Sequence, residues 1–138
     1  MSTILELSGI CAERNPDPAD QRKRILAVLK AGADIHAADK NGVTALHHAV
    51  RFRNVVAVRT LIEQGANVNQ ACRKSGSTPL HRAVTSTGAP GTAGKHAEVL
   101  DIIRLLMAAG ADPSITNKAG WTPADYAKDE EISSLLAR

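Results

Sequence analysis

The chain is 138 residues long, enough for one domain with a core, and 43% of it is hydrophobic although it holds a single Phe, a single Trp and a single Tyr. Ala, Leu, Ile and Val must therefore supply the interior, which argues against a core centred on large aromatics and suits thin helices packed in layers. A formal net charge of +3 is too small to identify a nucleic-acid binder, no run approaches the apolar length of a membrane span, and Met1 to Ile10 lack the features of a secretory signal.

In chain order, Ile4 to Ala12 and Ala19 to Lys30 predict a first helix pair with no turn ahead of it. Asp39-Lys40-Asn41-Gly42 is turn chemistry, because Asn and Gly tolerate the positive φ of a hairpin tip. Thr44 then caps a short helix ending near Phe52, with His47 placed to reach back to the cap. Its partner runs from Val55 to Gln64, carries Val55, Val58, Leu61 and Ile62 at helical spacing, and stops at Gly65. Thr78-Pro79-Leu80-His81 repeats the helix start with Pro at its first position. A second helix follows with Leu100, Ile102, Ile103, Leu105 and Leu106 before Gly110. Gly120-Trp121-Thr122-Pro123 opens the last pair, which closes through Ile132, Leu135 and Leu136.

The phrases Gly32-Ala33-Asp34, Gly65-Ala66-Asn67 and Gly110-Ala111-Asp112 recur at intervals of 33 and then 45 residues, a period in the thirties plus 12 added residues. Such a period marks a solenoid. Thr78-Pro79-Leu80-His81-x-Ala83, with Gly-Ala-Asp closing the helix pairs, resembles the ankyrin repeat over roughly Arg24 to Ala127. The resemblance implies an all-α solenoid with short β-hairpin turns. It would have four stacked units at about 1–33, 34–66, 67–111 and 112–138, the first and last acting as caps. Eleven of the added residues fall between the two helices of the third unit, as a Gly-rich surface loop at about 87–97.

Candidate chemistry is sparse. The stretch from Ala89 to His96 is close to a phosphate-binding loop but lacks the opening Gly, the Ser or Thr after Lys95, and a preceding strand. His47 and His81 take the family's helix-start position, which implies a structural role, and His36, His48 and His96 have no metal-ligand spacing. Cys11 and Cys72 are expected two layers apart, too far to bridge, which points to a reducing, cytoplasmic setting. Cys72 has no adjacent base, and no constellation assembles an enzyme, a cofactor site or a metal site.

By the resemblance, partners bind hairpin tips and the ends of the first helices. Those positions are Lys40, Asn41 and Val43; Arg73, Lys74, Ser75 and Ser77; Lys118 and Trp121; and Arg51, Phe52, Arg53, Thr85 and Ser86. Between Lys40 and Arg104 stand nine basic residues against three acidic ones, so the expected partner is a protein with an acidic surface, bound by a monomeric stack. Scaffold, inhibitor and antidote roles all fit. Phe52, the chain's single Phe between two arginines, reads either as a binding hot spot or as cover for the base of the insertion. Nucleic-acid binding through the basic middle is the alternative, although stacking aromatics and a recognised motif are missing.

Overall fold

A computed structural model describes residues 3–13, 16–85, 96–127 and 130–137. Its helices are α1 (Thr3–Cys11), α2 (Pro18–Lys30), α3 (Ala45–Arg51), α4 (Val55–Glu63), α5 (Pro79–Val84), α6 (His96–Ala108) and α7 (Glu130–Leu136), with a 3-10 turn at Pro123–Tyr126. The helix starts follow local chemistry. Asp17 caps α2 by accepting the Ala19 N–H at 3.3 Å, with Pro18 in the first position. Thr44 and Thr78 head α3 and α5 in reciprocal boxes with His47 and His81, and Thr122 with Asp125 does the same for the 3-10 turn.

The helices form two rows. In one row α1 packs on α3, α3 on α5 and α5 on the 3-10 turn, while in the other α2 packs on α4, α4 on α6 and α6 on α7. Between the rows lie Leu7, Ile25, Leu46, Leu61, Leu80, Ile102, Ile103 and Leu106, all fully buried. In α4 the pattern is plain: Ala57, Val58 and Leu61 face the interior while Arg59 and Glu63 are exposed. Each such buried aliphatic side chain stabilises the fold by about 1.5–3 kcal/mol relative to exposure.

Polar ties run across the stack. The buried Asn54 amide donates to the carbonyls of Cys11 and Glu13, both at 2.8 Å, and fixes the end of α1 against the corner between α3 and α4. Gln21, also buried, donates to the Ile10 carbonyl at 2.9 Å. The two cysteines are both buried and unbridged.

The hairpins are minimal. A lone antiparallel bridge joins Ala38 and Thr44, and among the described residues no longer strand forms. The second hairpin is closed by Cys72 N–H to the Ser77 carbonyl at 2.9 Å, and the third by Asn117 N–H to the Trp121 carbonyl at 2.9 Å.

Two elements differ from expectation. The last pair opens with a 3-10 turn of four residues in place of an α-helix. In addition, α6 takes in His96 and Ala97, the last residues of the expected 87–97 loop, with Glu98 in its first turn where a carboxylate favours the helix dipole. The remainder of that loop, Ser86, and the phosphate-loop-like stretch up to residue 95 lie outside the described residues. Among the described residues no helix is long and apolar enough to cross a membrane.

Candidate functional site

The hairpin tips are locked to one another by backbone hydrogen bonds. The Asn41 carbonyl accepts the N–H groups of Arg73 at 2.7 Å and Lys74 at 3.2 Å, and the Ser75 carbonyl accepts the N–H of Lys118 at 2.9 Å. Gly42 sits at φ +78°, and a Cβ there would fall on the backbone nitrogen of Arg73, so the tips approach as closely as they do because this position has no side chain. The result is a continuous ledge bearing Lys40, Asn41, Arg73, Lys74, Ser75 and Lys118, all exposed.

The two buried histidines bind this ledge to the helices. His47 Nδ1 accepts the Thr44 N–H at 3.1 Å, which makes Nε2 the protonated nitrogen, and Nε2 donates to the Ser77 carbonyl of the next hairpin at 3.1 Å. His81 repeats this with Thr78, at 3.1 Å, and with the Trp121 carbonyl, at 2.8 Å. Burial is the largest influence on both imidazoles and favours the neutral form, taking His47 down to about 4 and lowering His81 as well. Their role extends beyond the local cap: each couples its own helix to the following hairpin.

The remaining positions named from the sequence divide between surface and interior. Arg51 is exposed and lies over the half-buried Phe52 ring, 5.6 Å from its centroid, a cation–π contact. Ser77 is half-buried, with its carbonyl used twice inside the stack, by Cys72 and His47. Val43 is buried at the base of the first tip, its N–H held by the Asp39 carboxylate at 3.0 Å. Thr85 caps the end of α5, and its hydroxyl donates to the Arg82 carbonyl at 3.1 Å. Trp121 is 47% exposed and packs on Tyr126 with centroids 5.0 Å apart.

Arg53 lies inside, only 7% exposed, at the corner between α3 and α4. Its φ of +60° is the one left-handed value at a non-glycine among the described residues, a conformation that costs about 1–2 kcal/mol for an L-residue. Nη2 donates to the Thr85 carbonyl at 3.4 Å, and Nη1 is buried with no acceptor among the described residues.

Sequence reasoning missed His48 and Arg82, which belong with the ledge. Burial lowers the His48 pKa first of all, Asp39 acts to raise it, and Arg82 and Arg51 lower it further, so these four groups share one electrostatic neighbourhood. Arg82 also acts to lower the Cys72 pKa. The available signal was positional: His48 follows His47 as Arg82 follows His81, the same place on successive first helices. Asp39, the carboxylate among them, accepts the N–H groups of Asn41, at 2.9 Å, and Val43, at 3.0 Å, both through Oδ1. Those N–H bonds hold it in its charged form, and it is one carboxylate facing His48, Arg51 and Arg82.

The thiols are opposites. Burial and then the Glu13 carboxylate push Cys11 up to about 12. At Cys72 burial also pushes upward, but the Ser75 hydroxyl 3.0 Å away, the N–H groups of Ser75 and Ser77, and Arg82 overcome it and bring the thiol down to about 7. Among the described residues no cluster of three or more His, Cys, Asp or Glu is arranged to hold a metal ion. A cleft of about 10 Å³ between Ile35, Leu46, Asn67 and Gln70 has room for one water at most.

Comparison with known proteins places these features. The family model described as ankyrin repeats, in three copies, matches residues 19–117. The chain is 34% identical over 116 residues to the B-cell lymphoma 3 protein homolog of Mus musculus, covering 83% of this chain and 23% of that protein. It is 38% identical over 99 residues to ankyrin repeat and SOCS box protein 6 of Homo sapiens, covering 63% of this chain and 23% of the relative. The chain thus spans less than a quarter of the length of either relative. Among solved structures, the ankyrin repeat domain of Bcl-3, described as a unique member of the IkappaB protein family, superposes with a TM-score of 0.71 at 32% identity, covering 86% of this chain and 47% of that one.

Proposed function

The chain belongs to the ankyrin-repeat family, and we propose that it is a non-enzymatic protein-interaction module of four stacked units. It takes an acidic protein surface against its hairpin ledge and the ends of its first helices. The observation that carries this reading is the charge of the ledge. Lys40, Arg73, Lys74 and Lys118 are exposed there and Arg51 is exposed at the end of α3, outnumbering the neighbouring Asp39 carboxylate. Tips tied backbone to backbone form a rigid platform, so little ordering entropy is lost on docking. In this reading the chain acts as a cytoplasmic monomer, as a scaffold, an inhibitor or an antidote.

The experiment is affinity capture from the source cell, with nuclease added, using wild type and an Arg51→Ala, Phe52→Ala, Lys74→Ala variant of unchanged circular dichroism. A partner protein with an acidic face should be recovered by wild type and depleted at least tenfold with the variant. Equal recovery removes the ledge as the binding site, and capture that disappears with nuclease transfers the function to nucleic acid. Light scattering of the pure protein checks the monomer.

A further inference from the structure

Arg53 departs from ordinary backbone and side-chain chemistry in two independent ways. Its backbone is left-handed at φ +60°, where a glycine would be unstrained. Its guanidinium is buried, with one hydrogen bond at 3.4 Å, near the outer limit for such a contact, and Nη1 unmatched among the described residues. Burial pulls its ionisation downward, and among the described residues no carboxylate pairs with this cation. Buried charges are ordinarily paired, and backbone strain that persists beside an unpaired charge is a pointer to function.

Its surroundings differ on the two sides. Toward the first helix pair, both N–H groups of the Asn54 side chain are taken by the carbonyls of Cys11 and Glu13. Toward the third, the contact is the Thr85 carbonyl at the end of α5. Next to it stand the exposed Arg51 and the half-buried Phe52, with no acid in the run from Arg51 to Asn54.

We propose that Arg53 is the anion anchor of the binding face, taking a Glu or Asp side chain from an extended acidic segment of the partner laid across the ends of α3 and α5. This inference rests on the interaction-module reading above. The guanidinium is already dehydrated in the free protein, so part of the desolvation that opposes a dry ion pair is absorbed before the partner arrives. A carboxylate supplies Nη1 with its missing acceptor and can bind the planar fork in two places, which the single Thr85 carbonyl cannot. Since Nη1 has no solvent contact, the guanidinium turns outward to meet its partner. A flexible stem released by one long hydrogen bond permits that turn. Phe52 and Arg51 supply apolar and cationic contact beside it.

The test uses a hexaglutamate peptide as the probe, in low salt, against the full chain labelled with nitrogen-15. Side-chain Nε–H signals of the arginines are followed during titration, and affinity is measured by fluorescence anisotropy for wild type, Arg53→Gly and Arg53→Lys. The anchor predicts a saturable shift of the Arg53 signal, at least a tenfold loss of affinity in Arg53→Gly, partial recovery in Arg53→Lys, and a Tm for Arg53→Gly no lower than wild type. Movement of other arginine signals while Arg53 stays fixed overturns it without needing any variant, as does equal affinity of Arg53→Gly; in both cases the acidic-partner reading survives. No binding to any of the proteins overturns the anchor and the acidic preference together. Tighter binding of a thymidine hexanucleotide than of hexaglutamate overturns both in favour of nucleic acid.

Discussion

Acidification should weaken this fold through His47, and the size of the effect follows from its hydrogen bonds. In the folded state Nδ1 accepts from the Thr44 N–H and Nε2 donates to the Ser77 carbonyl, so a second proton has no acceptor to meet. The folded pKa of about 4 lies below the ordinary 6.5, so the unfolded chain binds the proton first and stability falls as pH drops from 6.5 towards 4. At pH 5 the loss from this one residue is about 2 kcal/mol relative to pH 7.5, and it approaches about 3 kcal/mol at pH 4. That is a large share of the roughly 5–15 kcal/mol total typical of a domain. His47→Gln is the informative variant, because Gln at this position can still reach the cap N–H while it cannot titrate. It should cost about 1 kcal/mol at pH 7.5, for the bond to Ser77, and be the more stable protein at pH 5. Urea unfolding followed by circular dichroism at both pH values measures this directly. His48 and His81, lowered in the same direction, remain in both proteins and cancel in the comparison. Parallel pH dependence of wild type and His47→Gln would refute the assignment.

Two further predictions concern the ledge. Gly42→Ala should destabilise by about 3 kcal/mol or more, since the new Cβ meets the Arg73 backbone, whereas Gly120→Ala, at φ +84° with open space around it, should cost only about 1 kcal/mol; equal losses in thermal unfolding would show that the tips are not in contact. Thiolate absorbance near 240 nm should titrate with a midpoint near 7 in wild type and lose that phase in Cys72→Ser, while Cys11, at about 12, stays silent through pH 9; a midpoint near 9 would mean the donors around Cys72 do not hold it.

The helix pairs were legible because each is written in local chemistry: Thr and Pro at the starts, apolar residues every three or four positions, and glycine at the stops. The capping role of His47 and His81 could be read from the same spacing. Their Nε2 atoms could not, because the acceptors lie 30 and 40 residues away on the next hairpin, and nothing local signals that reach. The last pair was harder for a similar reason. Thr122-Pro123 starts a helix as Thr78-Pro79 does, but Asp125 in the place of the histidine closes the box from the carboxylate side, accepting the Thr122 N–H at 2.8 Å with no ring to carry a bond onward. The site residues split along the same line. Exposure of Lys40, Arg73 and Lys74 follows from their place at a turn, whereas the burial of Val43 and Arg53 depends on packing against segments distant in sequence.

That burial changes what the basic middle of the chain means. Nine cations spread over 65 positions read as a diffuse field, and a diffuse field fits a nucleic acid as well as an acidic protein. The structure separates them: the ledge carries exposed charges, whose attraction for an acidic partner would be screened and fade with salt, while Arg53 is dehydrated, singly bonded and strained. Exposed rim charges govern the rate of encounter, and a buried charge governs how long a complex lasts. Removing Lys74 should therefore mainly slow association, and removing Arg53 should mainly speed dissociation. A partner recognised by field alone would show only the first effect.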